Sequence, residues 1–188
     1  MECRGRLHRK SRDIPWDAHC LTFSCFRRQP FFTGQQAPGW FLECIDIARR
    51  NARFELWAWV IMPEHVHLVL CPHEGVAMRQ ILWHLKKPLS DRILEHVRRD
   101  CPGFLPRMAD VHPNGRTSYR FWQRGGGYDR NLRSVKDTHE KIRYVHGNPV
   151  RRGLVLRPED WPWSSACDWL GLRPAPIRLD LDTLSPPS

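Results

Sequence analysis

The stretch FELWAWVIMPEHVHLVLC (54–71) narrows the possible folds more than any other part of the chain. Two runs rich in aromatic and β-branched residues, 54–62 and 65–71, flank Pro63 and Glu64. Such runs favour extended backbone, and a two-residue link folds one back on the other as an antiparallel hairpin. Side chains alternate along a strand, so His65 and His67 share one face about 6.6 Å apart while Val66 points the other way. Two imidazoles so placed can converge on one ion. A His-x-His pair in a strand is nevertheless more often exposed or satisfied inside a core, and ten histidines in the chain make chance pairing easier.

Around this hairpin the pattern supplies further elements. HCLTFSCF (19–26) alternates like a strand, and residues 38–52 carry a helical spacing through Phe41, Ile45 and Ala48. A long helical stretch covers 76–99, with Pro88 expected to kink or split it. Loop-like sequence follows to 119, and YRFWQR (119–124) is expected to be a fourth strand, ended by Gly125–Gly127. Ser134 with Asp137 begins another helix, which must stop near Asn148 because Pro149 disfavours α geometry in the residue before it. The order β-α-β-β-α-β predicts an α+β chain with a ferredoxin-like (RRM-like) antiparallel sheet and helices on one face. Its central strands should be the first strand and the one bearing the histidines. The expected organisation is a basic arm over 1–17, one domain over 18–170 and a loosely packed tail over 171–188. There is no internal repeat.

Thirty Lys and Arg against twenty Asp and Glu give a net charge of +10 and a pI near 9.8. An excess of that size favours a polyanionic partner, nucleic acid before anionic membrane, although solubilising charge would leave the same count. Arg predominates, and its planar fork suits phosphate. Seven cysteines, without any Cys-x-x-Cys pair, argue against a zinc ribbon or a disulfide framework and for reduced thiols. MECRGRLHRKSRD has no apolar core of a secretory signal, and no apolar run approaches membrane-spanning length. A soluble, cytoplasmic protein is expected.

Tyr144 and Asn148 lie four apart, so a helical turn brings them onto one face about 6 Å from each other. Asn148 offers an amide oxygen to a hard cation, and Tyr144 a hydroxyl that could act as nucleophile. Packed amphipathic Tyr and helix-capping Asn are the plainer alternatives, and Tyr128, after the glycines, is a rival nucleophile. Lys141, Arg143, Arg151 and Arg152 surround Tyr144. Arg124 and Arg130 flank the same region, and Arg4, Arg6, Arg9 and Lys10 could follow a nucleic-acid backbone. Trp122, Trp161 and Trp163 could stack on unpaired bases.

MPEHVHLVL, YRFWQRGGGYDR, YVHGNPVRRGLV, EDWPWSS and, nearer the start, LTFSCFRRQPFF occur in an order that resembles the REP-associated branch of the single-tyrosine transposases of the HUH endonuclease superfamily. The resemblance spans about residues 18 to 170. It implies a metal-dependent enzyme that nicks and transfers single-stranded DNA at hairpins of repetitive extragenic palindromes. Tyr144 would be the nucleophile, forming a 5′-phosphotyrosine, and His65, His67 and Asn148 would hold Mg2+ or Mn2+. Two departures stand out: Gly147 occupies a position where a bulkier polar residue is common, and the triple glycine beside YDR should lengthen that loop. A free phenol has a pKa near 10, so ionising it at pH 7 costs about 4 kcal/mol, which such a cation would help offset. Single-stranded DNA hairpins are the expected partner, with monomer and homodimer both open. The rival readings are a non-catalytic hairpin-binding protein on the same fold and a metal-dependent hydrolase of small phosphates.

Overall fold

A computed structural model of the chain describes residues 17–186. The proposed DNA contacts Arg4, Arg6, Arg9 and Lys10 lie outside the described residues, as does the rest of the basic arm before Asp17. The hairpin forms as the pattern requires: β2 (Phe54–Met62) and β3 (His65–Pro72) pair antiparallel across the Pro63-Glu64 turn. β1 (Ala18–Ser24) lies against the other side of β3. Each of these pairs brings more β-branched and aromatic side chains into register, so β3 is buried along its whole length.

Alternation divides the sheet into two unlike faces. Leu21, Phe23, Leu68 and Leu70 point toward α1 (Gln36–Ala52) and α2 (Met78–Asp100), which form one layer. On α1 the buried residues Phe41, Ile45 and Ala48 repeat at three- and four-residue intervals, and on α2 so do Ile81, Leu85, Leu89, Ile93 and Val97. Burying each such side chain contributes about 1.5–3 kcal/mol. Pro88 does not split α2, contrary to expectation; Leu85 and Leu89 on either side of it are fully buried, and that packing outweighs a proline cost of about 3 kcal/mol.

A short helix α3 (Leu105–Met108) and a small hairpin, β4 (Ala109–Val111) with β5 (Thr117–Tyr119), follow α2. The fourth strand of the main sheet is not 119–124 but β6 (Tyr128–Leu132), paired with β1. Phe121 and Trp122, which suggested a strand, are drawn into an aromatic cluster with Phe23, Phe32 and Phe41. Gly127 then lets the chain pass close to β1: its φ is +90°, and an added Cβ would lie 2.3 Å from the Thr22 carbonyl oxygen. The resulting order β2-β3-β1-β6, with β3 and β1 central, is the ferredoxin-like arrangement expected.

Beyond that unit, α4 (Val135–His146) covers the opposite face, contributing Ile142 and Val145 to a second core with Cys20, Val60 and Val69. The backbone N–H of Asp137 donates to Ser134 Oγ at 3.0 Å, so the helix starts as the capping pattern predicts. It ends at His146, and a further turn, α5 (Asn148–Arg151), begins with Pro149 in its first turn, where a missing N–H costs nothing.

The Trp-rich segment leading to α6 (Ala166–Trp169) runs along the outer edge of β2: Trp161 Nε1 donates to the Ile61 carbonyl and Trp169 Nε1 to that of Trp57. The tail is packed rather than loose. Ile177 and Leu179 are buried, and Asp180 accepts from the Leu56 backbone N–H and from Arg49. Cys20, Cys25, Cys44, Cys101 and Cys167 are free thiols, and no described helix is long and apolar enough to cross a membrane.

Candidate active site

β3 presents His65 and His67 to the face covered by α4. Both side chains are buried, and their Nε2 atoms face each other at 2.9 Å. Each ring is held from behind. His65 Nδ1 lies 3.0 Å from Glu64 Oε1, and His67 Nδ1 lies 2.7 Å from Thr22 Oγ1. An ionised carboxylate can only accept, so His65 donates through Nδ1 and keeps a lone pair on Nε2. The hydroxyl of Thr22 can accept or donate, so His67 can either donate from Nε2 to His65 or turn a second lone pair inward.

The electrostatics favour neutral rings. Burial pushes His67 down to about 3, and the charges of His65, Arg151, Lys141 and Arg28 add to the effect. His65 is lowered chiefly by burial, with Glu64 opposing. Burial would raise the Glu64 carboxyl, but Arg152 and His65 outweigh it and hold it below the usual carboxylate range. Both rings therefore stay neutral to a pH below 6.5, the free imidazole value.

Glu64 was legible only as a turn residue, yet it joins three elements. It meets His65, accepts from Arg152 Nη1 at 2.8 Å, and lies 3.7 Å from Arg28. Arg27 and Arg28 both have left-handed backbone, with φ of 53° and 54°. Two consecutive bulky residues in that region cost about 1–2 kcal/mol each, and the loop nonetheless keeps Arg28 toward the histidines.

Tyr144 sits on α4 and is 49% exposed. Two cations lie over its ring, with Lys141 Nζ 4.7 Å and Arg151 Cζ 4.1 Å from the centroid. These are the same side chains whose charge reaches His67, so the phenol and the imidazole pair share one electropositive surround. Arg151 also donates to the Tyr144 carbonyl. Gly147 makes this possible: a Cβ there would lie 2.8 Å from Arg151 Nη1. The glycine departure thus admits a guanidinium that closes over the helix end.

Asn148 is buried beyond that turn, and its Nδ2 has no hydrogen-bond partner among the described residues. Leaving a buried amide N–H unpaired costs about 1–3 kcal/mol, which an acceptor such as a phosphate oxygen at this position would recover, leaving Oδ1 as the atom that could meet a cation. No cluster of three His, Cys, Asp or Glu side chains suited to a metal exists among the described residues. The donors present still fit a divalent ion: two ligands at right angles around an octahedral ion at about 2.1 Å lie about 3 Å apart, close to the observed imidazole separation. Water, substrate oxygens and the Asn148 amide would complete the set.

Tyr128, the rival phenol, is 50% exposed and shares this face, because Thr22 pairs with both Tyr128 and His67. Two strand spacings, about 10 Å, separate it from His67. Among the described residues no cation lies over its ring as Lys141 and Arg151 do over that of Tyr144.

The other expected contacts separate. Arg143 is exposed on α4, and Arg152 is committed to Glu64. Arg130 is bound to Asp137 at 2.9 and 3.0 Å, tying β6 to α4. Arg124 pairs with Asp110 away from the histidines. Trp122 is buried, and Trp161 is occupied at the β2 edge. Trp83, not singled out from the sequence, is the exposed tryptophan among the described residues.

Comparisons with known proteins bear out the likeness read from the motif blocks. The chain is 27% identical over 119 residues to a REP-associated tyrosine transposase of Escherichia coli K12, aligning 62% of this chain with 57% of that one. It is also 27% identical over 113 residues to a protein of Haemophilus influenzae given the same name provisionally, covering 60% of this chain and 58% of that one. The aligned part therefore spans little more than half the length of these relatives. A solved REP-associated tyrosine transposase, bound to a REP hairpin, superposes with a TM-score of 0.62 at 23% identity, covering 96% of this chain and 93% of that one, and so shares the fold. No protein-family model matches the chain.

Proposed function

For this relative of the REP-associated tyrosine transposases, we propose metal-dependent nicking and strand transfer of single-stranded DNA at hairpins, with Tyr144 as nucleophile. What carries the proposal is the shared surround: two inward-facing Nε2 atoms 2.9 Å apart, and a phenol flanked by the same Lys141 and Arg151 that act on His67. The hairpin as substrate is supported by the relatives' name and by the REP hairpin in the solved structure of similar fold.

In this mechanism the Tyr144 oxygen attacks the scissile phosphorus. A Tyr–O–P bond forms as the phenol proton is lost to solvent, the bond from phosphorus to the 3′ oxygen breaks, and that oxygen takes up a proton in its place to leave as a free 3′-hydroxyl. The 5′ end stays on the protein, so the phosphodiester energy is kept for rejoining and no nucleoside triphosphate is required. His65, His67 and the Asn148 amide would hold Mg2+ or Mn2+, which when bound supplies charge neutralisation and alignment of the phosphate for in-line attack. Lys141 and Arg151 bring positive charge to the same phosphate, and Glu64 and Thr22 fix the imidazoles.

The test is incubation of the protein with end-labelled hairpin oligonucleotides and Mg2+ or Mn2+, followed by a denaturing gel. A protein–DNA band that survives denaturation and requires the cation is expected. Retarded DNA without a covalent band would reduce the protein to a hairpin binder. Phosphate release from small esters without DNA cleavage would make it a hydrolase.

A further inference from the structure

On the α2 side of the sheet, a cleft of about 480 Å³ lies between α2 and the segment from Tyr119 to Gly126. Its volume falls within the ~300–1,000 Å³ typical of ligand sites. Arg79, Trp83 and Lys87 follow one another at four-residue intervals along its α2 wall, and Trp83 is 58% exposed. Across from them stand Arg120 and Arg124. Asp110 and Asp91 neutralise part of this charge, through Arg120 with Arg124 and through Lys87 respectively. With Lys86, five basic side chains against two carboxylates leave a clear positive excess.

Lys86 is the most telling member. Its ammonium donates to the Gly125 carbonyl at 2.7 Å and lies over the rings of Phe23 and Trp122, without a carboxylate partner among the described residues. Burial pushes it down to about 8. An anion in the cleft would offset that desolvation. A solvated indole beside phosphate-binding cations is the combination that grips unpaired nucleotides, since every base has a face to stack.

The cleft opens on the face of the sheet opposite the histidines, but its wall is joined to the same strands. The Gln123 backbone N–H donates to the Ser24 carbonyl at 2.9 Å, and Ser24 is the register partner of His65. Two strand spacings, about 10 Å, therefore separate the backbone of the cleft wall from that of the histidine row.

We infer that this cleft binds the single-stranded segment adjoining the hairpin, with one base stacked on Trp83 and phosphates on Arg79, Lys86 and Lys87. The inference rests on the DNA reading given above and adds a second contact region to it. The test measures affinity for two labelled oligonucleotides, a hairpin with single-stranded extensions at its foot and the same hairpin without them. Trp83→Ala should weaken binding of the extended form about 5- to 150-fold, as expected for loss of one stacked base, and leave the bare hairpin unchanged. Arg79→Gln and Lys87→Gln should each lower the slope of log affinity against log salt by about 0.7. Thermal unfolding should stay unchanged for all three exposed positions. Equal affinity of wild type and Trp83→Ala for the extended oligonucleotide overturns the cleft assignment while hairpin binding stands. Equal weakening on both oligonucleotides means that the cleft holds duplex, which also overturns it. Failure of the wild-type protein to bind either form removes both this inference and the DNA reading beneath it.

Discussion

The two faces of the sheet follow opposite rules. Toward α1 and α2 the strands offer Leu21, Phe23, Leu68 and Leu70, which meet Phe41, Ile45 and Ile81 in a dry core. Toward α4 the same strands offer Thr22, His65 and His67, with His146, Asn148 and Ser165 buried around them. The first face supplies rigidity, since close-packed apolar side chains tolerate little rearrangement. The second buries polar groups that would weaken a core unless each has a partner, and it leaves one donor, Asn148 Nδ2, without any among the described residues. A sheet held by one face can carry chemistry on the other.

Substitutions should break that contrast in order of size. Tyr144→Phe, on the polar face, should abolish the covalent adduct while leaving hairpin affinity and thermal stability near wild type; an adduct that persists and maps to Tyr128 would move the nucleophile from α4 to β6. On the dry face, Phe41→Ala should cost about 3–5 kcal/mol in urea unfolding, with cleavage by the remaining folded protein intact. Glu64→Gln keeps the size but removes the charge behind His65. It should reduce metal affinity or activity about 10- to 100-fold, read from the Mn2+ concentration needed for half-maximal cleavage.

Acid should find the polar face first. Burial pushes His146 from 6.5 to about 4, and its Nε2 lies 2.9 Å from Ser165 Oγ. The unfolded chain therefore takes up a proton that the folded chain refuses. Stability is full above pH 6.5 and falls as the pH drops toward 4, with a loss of about 2 kcal/mol at pH 5 from this residue. Urea midpoints across that range should flatten in His146→Gln relative to wild type. The smallest effect belongs to the strained loop: Arg27→Gly should gain about 1 kcal/mol, because glycine adopts its φ without strain, and should leave cleavage unaltered.

How far the sequence reveals all this depends on how local the determining interactions are. The hairpin, the shared face of His65 and His67 and the Ser134 cap are set within a few residues, and each was readable. β6 was not, because YDRNL lies at the sheet edge and carries charges used in cross-element pairs such as Arg130 with Asp137. Phe121 and Trp122 misled for the converse reason: aromatic residues that look like strand are consumed by a cluster assembled from distant elements. Glu64 looked like turn chemistry because its partner Arg152 is 88 positions away. The packing of the tail depends on Asp180 meeting Arg49 and Leu56, which no local pattern announces.

The helix bearing Tyr144 is moored at its start to β6 through Asp137 with Arg130, and the turn that follows it is moored to the hairpin turn through Arg152 with Glu64. Such a helix has no slack with which to serve a neighbouring molecule. Each polypeptide would then be a complete cutting unit: turnover per molecule should hold constant on dilution, and mixing a Tyr144→Phe chain with a His67→Ala chain should restore nothing.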